Sequence, residues 1–130
     1  MSLRARIRVS SYSGRRITIQ ARVEGTVTIL RITGTLTANV GERGLREAIR
    51  AAVDSGSRTV VVNLLDATAI DSSGVSDLAS GHMLVTKHGG ALKLCCLSKK
   101  LKDVFVITRL NTVFELFETE AEALASVPSV

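Results

Sequence analysis

The chain has 130 residues, 45% of them apolar and only 3% aromatic, with a formal net charge of +5. That length suits one compact domain and the apolar content argues against general disorder, so the core must be aliphatic, built from Val, Leu, Ile and Ala. Tyr12, Phe105, Phe114 and Phe117 are the only Phe, Tyr or Trp residues, which disfavours a single-stranded nucleic-acid surface made of stacking platforms.

Much of the positive charge lies at the front. Arg4, Arg6, Arg8, Arg15, Arg16 and Arg22 precede the first acid, Glu24. The early arginines alternate with Ala5, Ile7 and Val9, a strand-like period. We expect a basic arm over residues 1–14, with "SSYSG" (Ser10 to Gly14) as a soft joint, followed by a single domain over residues 15–130. An arginine-rich front is compatible with nucleic acid, an acidic partner or a membrane surface. With no reader motif and few rings, no direct nucleic-acid binding is expected. No apolar run spans a bilayer and no secretory signal opens the chain, so no membrane insertion and a cytoplasmic location are expected.

"RRITIQARVE" and "TVTILRITG" predict two strands joined by a tight turn at Glu24-Gly25. In "GERGLREAIRAAVDSG" the period lengthens: Leu45, Ala48, Ile49 and Ala52 share one face of an amphipathic helix that Ser55-Gly56 ends. "RTVVVNLLDATAI" is continuously apolar from Val60 to Leu65 apart from Asn63, as in a strand covered on both faces. A second helix is predicted from about Ser72 to His88, with Val75, Leu78, Ala79 and Val85 inward and His82 packed on that face. A strand from Ala91 to about Cys96 comes next, then a short helix in "SKKLKDVFVITRL" and a last strand in "TVFELF". Thr119 and Glu122 have the spacing of a capping box for a terminal helix. The order β-β-α-β-α-β-α-β-α implies a largely parallel sheet of α/β type, its first two strands antiparallel.

Chemistry concentrates in "AIDSSGVSDLA". Asp71, Ser72 and Ser73 stand where a helix start leaves backbone N–H groups unpaired, so any of them can cap it. The same position exposes a hydroxyl to modification. A phosphate there would meet the helix dipole favourably and add about 1.5 to 2 negative charges. Nothing around Ser72 resembles a nucleophile elbow, and His82 and His88 lie three to four helical turns onward, so no catalytic residue is expected. "GTLTANVGERG" is not a phosphate-binding P-loop. Adjacent Cys95 and Cys96 with two histidines make a poor metal set, and no cofactor or metal is expected. The two thiols are expected free, on opposite faces of their strand.

From about Gly25 to Val127 the chain resembles the STAS family, and within it the bacterial anti-sigma factor antagonists. "LRITGTLT" is similar to the family's second-strand signature, and "GSRTVVVNLLDATAIDSSGVSDLA" to its central strand, D-S-S-G loop and helix. The remaining half, from "HGGALKLCCLS" onward, follows the family in order and spacing. The resemblance implies a mixed, largely parallel sheet with helices packed mainly on one side. It further implies binding to an anti-sigma factor with serine kinase activity, which phosphorylates the first serine of D-S-S-G, here Ser72, and so ends the association. A PP2C-type phosphatase would reverse the modification. The implied partner surface takes in Thr35, Thr37, Asn39, Asp71, Ser72, Ser73, Gly74, Ser76 and Asp77. Thr37 stands where the family commonly has an aspartate, in a G-x-L-D pattern, and Ser76 where it often has Gly or Ala. Thr37 keeps a second implication alive: a STAS scaffold or regulatory subunit in a lipid-transport ABC system or stress-signalling complex. Self-association is left open.

Overall fold

A computed structural model describes residues 9–13, 17–36 and 44–127, with side chains from residue 17 onward. Alternation of apolar and polar residues makes β2 (Ile17–Glu24) and β3 (Val27–Leu36) a hairpin, turned at Gly25 with φ +63°. Before them lies β1 (Val9–Ser13), antiparallel to β2 with Val9 opposite Arg22 and Ser13 opposite Thr18. The stretch expected to be a joint is therefore strand as far as Ser13. Backbone pairing can recruit "VSSYS" although its composition resembles a loop.

After α1 (Leu45–Asp54) the chain enters β4 (Thr59–Ile70), longer than its apolar run predicts. Then follow α2 (Ser72–Lys87), β5 (Ala91–Cys95), α3 (Lys99–Ile107), a 3-10 turn at Leu110–Thr112, β6 (Glu115–Phe117) and α4 (Glu120–Ala125). The last strand is shorter than "TVFELF" because Thr112 belongs to the 3-10 turn and Phe114 is buried in the core beside Phe105.

The six strands lie in chain order, β1-β2-β3-β4-β5-β6. The first two pairings are antiparallel; β3–β4, β4–β5 and β5–β6 are parallel. This is the mixed, largely parallel α/β sheet expected. One face carries Ile19, Leu30, Ile32, Val60, Val62, Leu64 and Leu94 against Leu45 and Ile49 of α1, Leu78 and Val85 of α2, and Leu101 and Phe105 of α3. The other face has a smaller cluster of Val27, Ile29, Val61 and Cys95 under Ala123 of α4. Three helices thus cover one side and one short helix part of the other.

The short helix is fastened by polar contacts. Glu120 accepts hydrogen bonds from Arg22 Nη2 (2.7 Å) and Asn63 Nδ2 (2.9 Å), while Thr119 caps the helix by accepting from Glu122 N (3.1 Å). Glu122 in turn accepts from Glu118 N (3.1 Å), so the box closes one residue before the cap. Burial alone would raise the Glu120 carboxyl, but the bonds from Asn63 and Arg22 hold it below the usual range. Asn63, a polar residue inside "VVVNLL", therefore anchors α4 rather than interrupting the strand.

Both cysteines are free, but they do not occupy opposite faces. The strand ends at Cys95, and Cys96 turns to φ +65°, which breaks the two-residue alternation and packs it beside the cluster that buries Cys95. Burial, with a hydrogen bond to the Cys96 thiol, pushes the Cys95 thiol well above its ordinary range. His82 does pack as expected, its ring edge-on to Phe114 at 5.4 Å.

Candidate functional site

Parallel β3 and β4 end together at Leu36 and Ile70, and Asp71 N donates to Leu36 O at 3.3 Å. The chain then turns into α2. Asp71 stays extended (φ −111°, ψ −177°), and its Oδ1 accepts from Gly74 N at 2.9 Å, while Val75 N donates to Asp71 O at 3.0 Å. Of the residues able to cap this helix, Asp71 does so. Ser72 is consequently the first helical residue, and it is exposed; Ser73 behind it is half-buried.

Gly74 is buried against the end of β3. A Cβ there would collide with the Leu36 carbonyl oxygen and with Ile70 Cγ1. The glycine lets the first turn of α2 press directly on backbone, and that contact sets the height of Ser72 above the strand ends. Ser76, one turn further, is exposed and shares the Ser72 face by the i, i+4 spacing. Thr35, half-buried, has Oγ1 3.4 Å from Thr68 Oγ1 across β3–β4. Thr37 and Asn39 lie outside the described residues.

Asp77 is revised. It was expected on the partner surface, yet it is 5% exposed and its Oδ1 lies 3.3 Å from Arg46 Nη2 of α1. Burial raises the Asp77 carboxyl above its ordinary range, with the negative charge of Asp71 adding to it and Arg46 opposing it. As it stands, Asp77 joins α2 to α1 from inside. Gly74 likewise contributes shape rather than a side chain. Arg46 escaped the sequence reading because its link to Asp77 exists only once α1 and α2 are packed.

The assembled surface is thus Asp71, Ser72 and Ser76 outward, with Ser73 and Thr35 partly covered. A helix rising about 1.5 Å per residue puts His82 about 15 Å and His88 about 24 Å along the axis from Ser72. His82 is occupied with Phe114, and His88 Nδ1 lies 2.9 Å from Leu84 O. No histidine base is within reach of the Ser72 hydroxyl. Among the described residues, no group of three His, Cys, Asp or Glu side chains is placed to hold a metal ion. The arrangement can receive a group transferred from another molecule.

Comparison with known proteins gives a match to the STAS domain over residues 18–123. The fold is similar to that of an anti-sigma factor antagonist from Mycobacterium paratuberculosis, with TM-score 0.75, 22% identity, and coverage of 89% of this chain and 97% of that one. It is also similar to the anti-sigma factor antagonist SpoIIAA in its unphosphorylated form, with TM-score 0.68, 21% identity, and coverage of 85% and 99%. The Bacillus cell fate determinant SpoIIAA in its phosphorylated form aligns with TM-score 0.61, 22% identity, and coverage of 93% and 100%. Among the described residues, no helix is long and apolar enough to cross a membrane.

Proposed function

Since this chain belongs to the STAS family, we propose that it is a phosphorylation-switched binding module, an antagonist of an anti-sigma factor. Its partner is an anti-sigma factor with serine kinase activity, which it sequesters so that a sigma factor is released. The observation carrying this reading is the exposed Ser72 hydroxyl at the first position of α2, beside the Asp71 cap. A phosphoryl group transferred from ATP to Ser72 Oγ would meet backbone N–H groups and the positive end of the helix dipole. The fold tolerates it. The same group puts charge and bulk on the face shared with Ser76, and a partner fitted to a neutral hydroxyl is repelled. Asp71 sharpens the repulsion, being acidic and exposed next to Ser72. A PP2C-type phosphatase restores the hydroxyl.

The protein itself performs no catalysis in this reading; purified chain should hydrolyse neither ATP nor esters beyond a denatured control. The experiment is capture of the partner from the native host, then incubation with that partner and Mg-ATP. Intact mass and peptide mapping should place one phosphate on Ser72, and the modified chain should leave the complex. A kinase partner that labels another residue, or labels Ser72 without weakening the complex, refutes the mechanism. Capture of a transporter ATPase without kinase activity would favour the scaffold reading.

A further inference from the structure

The two ends of the chain carry opposite charge, and each forms one edge of the same sheet. Six arginines and no acid precede Glu24; after Arg109 there is no Lys or Arg, and Glu115, Glu118, Glu120 and Glu122 follow in quick succession. The basic end supplies β1 and the acidic end β6, the two outermost strands. Among the described residues, no strand pairs with the free edge of either.

The β6 edge is also the open side of a groove. Leu97, Val106, Leu116 and Phe117 give it apolar walls, Lys102, Asn111 and Glu118 a polar rim, and its volume is ≈ 210 Å³. Val106 is 57% exposed although apolar. The alternation of β6 divides its side chains: Leu116 leans toward the α3 side and packs on the main core, while Phe117 joins the α4 side and Glu115 pairs there with Lys93 at 2.8 Å. A strand added outside β6 would meet an apolar groove rimmed by Glu118 on one face and Glu115, beside Lys93 and Phe117, on the other.

Residues 4–8, Arg-Ala-Arg-Ile-Arg, have that pattern. Extended, they put Ala5 and Ile7 on one side and three arginines on the other. We propose that residues 4–8 of one copy dock along the free edge of β6 of a second copy, Ala5 and Ile7 entering the groove and the arginines reaching Glu115 and, past the rim, Glu118. Glu115 and Glu118 each hold a lysine of their own, at 2.8 Å, through one oxygen, and an ionised carboxylate has capacity for a second donor. The occupant must come from another molecule. Five inter-strand spacings of about 4.8 Å separate β1 from β6, roughly 24 Å. Five residues reach at most about 18 Å, and Val9 is already held in β1. Arm and groove differ, so each copy has both halves of the contact, and copies join arm to groove.

Sedimentation velocity on the nuclease-treated full chain tests this. Mean mass should at least double as concentration rises, and fall back toward the monomer as salt screens the arginines. An arm variant (R4E, R6E, R8E) and a groove variant (V106R, E118R) should each be monomeric alone. Mixed, they should form a dimer that grows no further, because one retains only the groove and the other only the arm. A synthetic peptide of residues 1–9 in excess should cap the groove and return the unmodified chain to monomer mass, without requiring any variant to fold. An unmodified chain that stays monomeric at every concentration overturns the proposal. So does a folded groove variant that still self-associates, a mixture of folded variants that stays monomeric, or a peptide that leaves the mass unchanged.

Discussion

Gly74 of α2 and Leu36 of β3 are in contact through backbone, with no room between them for a single methyl group. The helix that presents Ser72 is therefore located by a carbonyl oxygen, which cannot swing aside as a side chain can. Gly74→Ala must displace either the helix start or the strand end, and should cost about 1–3 kcal/mol as an overpacking change. Denaturant unfolding measures the loss. Binding of the captured partner should fall further than the stability change accounts for, because the displaced element carries Ser72.

Two acidic residues should give opposite pH slopes. The Asp77 carboxyl is raised above its ordinary 3.8, chiefly by burial, so the folded state holds its proton more tightly than the unfolded chain does. Its contribution to stability falls as pH rises through the folded value and is regained on acidification. The Glu120 carboxyl is lowered from its ordinary 4.5 by Asn63 and Arg22 against the opposing effect of burial. Its contribution is present above 4.5 and is lost as pH falls through the folded value. Thermal unfolding from neutral to acidic pH should show Asp77→Asn steepening the acid loss and Glu120→Gln flattening it. At neutral pH the second variant should cost about 1–3 kcal/mol, since it leaves Arg22 and Asn63 short of a charged acceptor.

Charge at Ser72 should separate folding from binding. Ser72→Asp places a carboxylate at a helix N-terminus and should shift stability by no more than about 1 kcal/mol, toward greater stability. Partner affinity should nevertheless drop at least tenfold, while Ser72→Ala binds and accepts no phosphate. Calorimetry on both variants, with thermal unfolding beside it, checks the separation. Equal losses of stability and affinity in Ser72→Asp would contradict it.

The thiols should react at two rates. Cys95 is fully buried, and Cys96 is half-buried beyond the strand end. Titration with a thiol reagent on the folded protein should modify Cys96 first and Cys95 only as the chain unfolds, reaching two free thiols per chain after denaturation without reductant. Cys96→Ser should abolish the fast phase and leave the slow one.

Deleting residues 1–12 removes most of β1, an edge strand paired only with β2. The main core draws on β2 to β5, on α1 to α3 and on Phe114, with Leu110 and Leu116 packed against its margin. The truncated chain should therefore unfold in a single cooperative transition at reduced midpoint. A broad, non-cooperative melt would show that β1 belongs to the folding unit and that the division at residue 14 is misplaced.

Side-chain period is a local property, and what depends on it was legible in the chain itself. The spacing of Leu45, Ala48, Ile49 and Ala52 dictates α1, the run from Val60 to Leu65 dictates a covered strand, and "DSSG" after that strand dictates a helix start with an exposed hydroxyl. Composition also specified the aliphatic core, because so few rings were on offer. Tertiary packing decided the rest. "VSSYS" became strand because β2 presented a backbone edge to it. Cys96 left the expected face because the chain had to turn at the end of β5. Asp77, polar and next in sequence to the exposed Ser76, was drawn inward because α1 brings Arg46 against α2. Asn63 was put to use because Glu120, 57 residues later, lands beside it. Each of these outcomes depends on groups far apart in the chain meeting in space. A period along one segment holds no information about which distant donor, acceptor or backbone edge will be waiting there.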